Sequence, residues 1–179
     1  MKDQTDISPV TKSQRTQIIR ATNDAIAKAE KIFHQSFATL PIHFDLQGKS
    51  AGMYQVKGTN KRIRYNPWIF AKYYEESLSN TVVHEVAHYL VDCLWGINKV
   101  KPHGREWKNT MRLMGAEPVV RGDYDLTGIP RRQYRSFKYL CDCRSHELTI
   151  IRHRKVKAHR ARYLCKICHG ELTQASLDV

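Results

Sequence analysis

At 179 residues the chain has room for one domain of ordinary size, or a main domain and a small appendage. Hydrophobic residues at 41% and charged residues at 26% exclude the disordered and membrane classes, and no apolar run approaches the roughly 20 residues that cross a bilayer. The balance of 30 Lys+Arg against 17 Asp+Glu gives a net charge of +13, a field that favours anionic partners, nucleic acid first among them.

The charge is unevenly spread. Residues 131 to 179 hold twelve Lys/Arg against four Asp/Glu, whereas residues 1 to 40 net only +2 and residues 41 to 130 only +3. The opening MKDQTDISPVTKSQRTQ lacks the hydrophobic core of a signal peptide, so a cytoplasmic location is expected. In that reducing compartment five cysteines read as metal ligands or free thiols before disulfides.

In chain order, residues 14 to 37 place Ile18, Ile19, Ile26, Ala29, Ile32 and Phe33 at helical spacing, which predicts an amphipathic helix packed on the rest. From Pro41 the period shifts toward two, with Phe44, Tyr54, Val56, Ile63 and Tyr65 as inward candidates. Gly48, Gly52 and KGTNK supply turns, and two or three short antiparallel strands are expected. Asn66-Pro67 opens a helix, because Asn caps well and proline is tolerated in a first turn. The next helix runs from about Ser79 to Trp95 and stops at Gly96, and HGREWKNTMRLMG forms another that ends at Gly115. Residues 116 to 130 are loop-like, and a boundary falls near residue 130, where basic residues and then cysteines accumulate. Beyond it, HELTIIRHRKV and ARYLC alternate in character and predict short strands.

The helix at residues 79 to 95 carries HEVAH. His84 and His88 lie on one face about a turn apart, the spacing with which two imidazoles grip one zinc ion. Glu85 falls beside that ion and not on it, where it can take a proton from water. A core helix with two satisfied histidines is the rival reading, and Leu78, Val82, Val86, Leu90 and Leu94 do form an apolar stripe. Burying two histidines and a glutamate without partners is costly, which favours the metal. A catalytic zinc needs a third protein ligand. His103, in PHGREWK, is the nearby histidine, with Glu106 and His43 as weaker alternatives; Gly104 permits close backbone approach and Trp107 reads as core.

HEVAH followed by WG and then PHGREWK, preceded by GKSAG and IRYNP, resembles the SprT-like family of zinc metalloproteases, its bacterial branch above all. The likeness runs from the first helix to the second cysteine pair. It implies His84, His88 and His103 as zinc ligands and Glu85 as catalytic base. It also implies a zincin-like helical metalloprotease domain with a small antiparallel sheet, followed by a zinc-binding module. Through the Spartan branch it implies DNA-bound or crosslinked proteins as substrates. Bacterial relatives often carry a histidine shortly after the third-ligand helix; aligning on Tyr124 puts Gly122 there, and Tyr124 reads as a packing residue.

The tail supplies Cys141 and Cys143, then, after 21 residues, Cys165 and Cys168. The second pair has zinc-knuckle spacing; the first is C-x-C, one residue short of the usual turn, so His146 or His153 is an alternative to Cys143. Four protein ligands leave no open position, which makes this second zinc structural. Cys93 reads as a small core residue. Between the pairs, Arg152, Arg154, Lys155, Lys157, Arg160 and Arg162 form a basic loop suited to phosphates, with salt-sensitive binding to DNA, single-stranded or without sequence preference.

The expectation is therefore an α+β chain, with a zincin-like domain over residues 1–130 and a small basic zinc-ribbon-like β module over 131–179. It reads as a monomeric zinc endopeptidase with one catalytic and one structural zinc, no membrane partner, and DNA-bound proteins as substrates. The alternative is a nucleic-acid-binding zinc protein, acting in transcription, whose protease-like domain is only a scaffold.

Overall fold

The computed structural model describes residues 7–120, 122–130 and 135–175. The chain divides into two compact units, Met1–Arg131 and Arg132–Val179, each mixing helices with one small sheet.

The first unit opens with α1 (Lys12–Phe33). Thr11 caps it: its hydroxyl accepts from the Gln14 N–H (3.2 Å) while the Gln14 side chain accepts from the Thr11 N–H (2.9 Å), so two orphan amides are satisfied together. Ile18, Thr22, Ile26 and Ala29 form its buried face. Ile19, expected inside, is 38% exposed, because one residue turns the helix by about 100° away from that face.

Three strands follow, β1 (Ile42–His43), β2 (Gly52–Lys57) and β3 (Asn60–Tyr65), in the order β1-β3-β2. β2 and β3 are an antiparallel hairpin turned at Gly58 (φ 59°), a left-handed position that suits glycine. β1 pairs with β3 in parallel, so the sheet is mixed and not the antiparallel one expected. The physical reason lies at the outer edge of β2, where the Tyr54 N–H is spent on the Glu85 side chain and cannot pair with a strand. β1 takes the free edge of β3 instead, accepting from the Ile63 N–H through the Pro41 carbonyl at 3.0 Å. Ile63 and Tyr65 are fully buried, and the Tyr65 hydroxyl meets Thr22 of α1 at 2.9 Å.

Asn66 caps α2 (Pro67–Lys72), its side chain accepting from the N–H groups of Trp68 and Ile69. A single turn, α3 (Tyr74–Glu76), and a π-helical turn, Ser77–Thr81, run into α4 (Val82–Leu94). The widened turn explains why regular α-helix starts at Val82 and not at Ser79. α4 ends at Gly96 (φ 87°), and α5 (Arg105–Leu113) ends at Gly115 (φ 79°), both at the expected glycines. Val82, Val86 and Leu90 of α4 join Ile18 and Ile26 of α1 and Tyr65 of β3 in one core.

In the second unit β4 (Ser136–Cys141) and β5 (Arg144–Thr149) form a hairpin, and β6 (Thr173–Gln174) pairs with β4 on its other side. α6 (Ile150–Lys157) stands where strand and basic loop were expected. The alternation of IIRHRKV hid a helical pair: His153 and Val156, three apart, face the sheet. The His153 ring stacks on Phe137 (3.7 Å, 5°) and bonds to the Tyr139 hydroxyl at 3.1 Å. Among the described residues no helix is long and apolar enough to cross a membrane.

Candidate metal centres

α4 carries His84 and His88 on its cleft side, and the turn before α5 brings His103 against them. The three Nε2 atoms stand 3.2 Å (His84–His88), 3.1 Å (His88–His103) and 3.3 Å (His84–His103) apart. Three ring nitrogens this close must share protons or share a cation. A tetrahedral zinc with bonds of about 2.0–2.1 Å needs nitrogens about 3.3–3.4 Å apart, so the triangle fits that ion. Burial, helped by the neighbouring imidazoles, pushes His84 down to about 4 and His88 down to about 3, leaving both as neutral lone-pair donors at neutral pH. The Val119 backbone beside His84 opposes that shift without reversing it. Trp107, fully buried, backs all three rings at centroid distances of 4.7, 5.5 and 4.7 Å. Glu106 pairs with Arg105 and His43 lies on β1; neither joins the cluster.

Glu85 is 5% exposed, and burial pushes its carboxyl up to about 8. Its Oε2 accepts from the Tyr54 N–H, while Oε1 has no hydrogen bond to a described residue. Tyr54 is itself tied to α4 a second time, its hydroxyl donating to Asp92 at 2.6 Å. Asp92 also holds the Lys61 ammonium at 2.7 Å and the Ile97 N–H at 2.9 Å. β2 is thus pinned along two turns of α4. The sequence reading missed Tyr54 and Asp92 as parts of this site; the seven-residue step from Glu85 to Asp92, which keeps both on one helix face, was the available signal. The histidines and Glu85 lie in a cleft of about 830 Å³ between β2 and the segment around Val119. Tyr124 lines it too, with its ring on Tyr73 (5.0 Å) and its hydroxyl 3.2 Å from that of Thr81. A Cβ at Gly122 would fall 2.5 Å from the Tyr124 ring, so glycine there makes room for the tyrosine.

Residues 22–131 match the family model described as the SprT-like family. Protein SprT of Shewanella oneidensis is 35% identical over 160 residues, 89% of this chain and 98% of that one. The chain belongs to the SprT-like family. Protein SprT of Actinobacillus succinogenes is 33% identical over 158 residues (88% of this chain, 89% of the relative), and that of Vibrio parahaemolyticus 33% over 150 residues (83% and 87%). No solved structure matches the chain. Alignments of this length extend past the family model into the second unit.

That region gathers Cys141, Cys143, Cys165 and Cys168, with all four Sγ atoms within 4.8 Å of one another. Cys141 ends β4 and Cys143 sits in the two-residue hairpin turn, which supplies the tight backbone that a C-x-C pair requires. Sγ separations of 3.5 Å (Cys141–Cys143) and 3.6 Å (Cys143–Cys165) compare with about 3.8 Å for sulfurs bound tetrahedrally to zinc at about 2.3 Å. Amides of Cys168 and Ile167 hold the Cys165 thiol down at about 5, whereas the sulfurs of Cys141 and Cys168 push Cys143 up to about 12. Four such sulfurs cannot all ionise unaided, and a dication relieves the conflict. His146 lies 3.2 Å from Cys141 Sγ as a neighbour of the cluster, and His153 is committed to Phe137 and Tyr139. Of the predicted basic residues, Arg152, Arg154, Lys155 and Lys157 lie exposed on α6, Arg160 follows in a turn, and Arg162 faces Glu171 at 3.8 Å.

Proposed function

We propose that this SprT-like chain is a cytoplasmic, zinc-dependent endopeptidase of the zincin type. The observation that carries the reading is the convergence of three imidazole nitrogens, 3.1–3.3 Å apart, in an open cleft that also holds a buried, hydrogen-bonded glutamate. His84, His88 and His103 would hold the catalytic zinc, and the four cysteines a structural one. Zinc held by the histidines would supply Lewis acidity to a peptide carbonyl and to water.

The chain's own residues do the rest. Glu85 Oε1 takes the proton of the attacking water and hands it to the leaving amine nitrogen, while the Tyr54 N–H keeps Oε2 still. Burial pushes the Glu85 carboxyl up in the metal-free chain, and the positive charge of zinc on the histidines would favour its ionised form, the form that accepts a proton. Trp107 keeps the rear of the histidines dry.

The cationic residues of α6 would bring the enzyme to DNA, single-stranded or without sequence preference, and DNA-bound proteins would be its substrates. The chain would act as a monomer. Metal analysis tests the scheme: two zinc ions per chain are expected, falling to one in His84→Ala or His103→Ala. Cleavage of a DNA-binding protein should disappear on chelation and return with zinc. One zinc in the wild type, or cleavage indifferent to chelation, contradicts it.

A further inference from the structure

Gly52 stands at the first position of β2, beside Glu85. A Cβ on Gly52 would lie 2.6 Å from both Cγ and Oε1 of Glu85 and 2.9 Å from its Cδ, closer than non-bonded atoms approach. Its backbone is not among the left-handed ones, so the conformation alone does not call for glycine; the space does. We propose that Gly52 is the positioning residue for Glu85: by having no side chain, it lets the carboxyl lie flat against β2, where the Tyr54 N–H holds it.

The strand cannot yield to an added methyl as easily as the carboxyl can. Gly52 is in register with Tyr65, the Asn66 N–H donates to the Ala51 carbonyl at 2.8 Å, and the Tyr54 hydroxyl is bound to Asp92. On the other side are Cγ, Cδ and Oε1 of Glu85, a side chain that can move by changing rotamer, whereas the strand backbone is held on both sides. In Gly52→Ala the methyl therefore displaces Glu85, the Tyr54 amide loses its acceptor, and Oε1 leaves the place where it meets water. The zinc ligands are not touched by the change.

This inference rests on the reading of Glu85 as proton acceptor, and a double-mutant cycle separates the two. In the zinc-loaded full chain, Gly52→Ala should lower kcat by roughly ten- to a hundredfold, with KM within about twofold and both zinc ions retained. It should lower the melting temperature of wild type but not of Glu85→Ala, where the group it collides with is gone. A kcat within about twofold of wild type overturns the proposal. So does an equal loss of melting temperature in both backgrounds, which would mark Gly52 as a residue that merely eases the strand. If zinc-loaded wild type cleaves nothing, the peptidase reading fails, and the melting cycle alone decides whether Gly52 seats Glu85. Should Gly52→Ala fail to fold, a folded Gly52→Ala/Glu85→Ala supports the proposal and an unfolded one overturns it.

Discussion

The histidine and cysteine clusters both fit a zinc ion, yet they are held by opposite means. Behind His84, His88 and His103 stand Trp107 and a core that fully buries Ile63, Tyr65, Phe70, Val86 and Leu90. Behind the cysteines, among the described residues, the buried cluster is Tyr139, Leu148, Leu172 and Cys165 itself, with Phe137, Val156 and Tyr163 partly buried against it. A unit of that size buries too little apolar surface to offset its chain entropy unaided. On the two-zinc proposal, the fold makes the metal site in the first unit and the metal site makes the fold in the second.

The comparison breaks most visibly at Cys165. Cys165→Ser should abolish the amide-exchange protection of the β4–β5 hairpin while α1 and α4 stay protected, and His84→Ala should leave both units protected. A hairpin that remains protected without its thiolates would remove the distinction. Within the first unit, Trp107→Ala should cost about 3–5 kcal/mol, because it empties the wall behind three imidazoles. Chemical denaturation would read this as a lower midpoint, with the second unit unaffected.

A smaller effect concerns pH in the metal-free chain. His84 and His88, held near 4 and 3, take up protons in the unfolded chain before they do in the folded one, so stability is lost as pH falls from 6.5 through those values. Glu85 runs the other way. Folded, it keeps its proton to about 8, so stability is lost as pH rises from 4.5 toward 8. Two imidazoles outweigh one carboxyl below 6.5, which places the maximum close to pH 6.5. Glu85→Gln should remove the alkaline decline. Tryptophan fluorescence isolates the first unit, since Trp68, Trp95 and Trp107 all belong to it. The smallest effect is expected in the basic segment 152–162: if its six Lys/Arg residues neutralise phosphates, the log–log salt slope for single-stranded DNA is about −4. Arg154→Ala should flatten it by less than one, and a flat wild-type response would discard the DNA contact.

What could be read from the sequence follows the same division. HEVAH and the stops at Gly96 and Gly115 were legible because side-chain spacing and left-handed glycines are properties of residue order. Tyr54 was legible as an inward strand residue, but its contribution to Glu85 is a main-chain N–H, which every residue but proline owns. Gly52 read as a turn glycine; only the packed structure shows that its missing side chain is what matters. The parallel β1 pairing was hidden because it depends on which edge of the hairpin a distant helix had already taken. α6 was misread because, with charge on nearly every side, it has no apolar stripe, and its anchor is a histidine.

The most direct measurement is a proteolysis time course on a DNA-binding protein, with and without single-stranded DNA, for zinc-loaded wild type beside Glu85→Ala. Loss of substrate with wild type, strongest when DNA is present, and none with a Glu85→Ala protein that still binds two zinc ions is the predicted result. Equal cleavage by both proteins, or none by wild type at full zinc occupancy, would contradict the account.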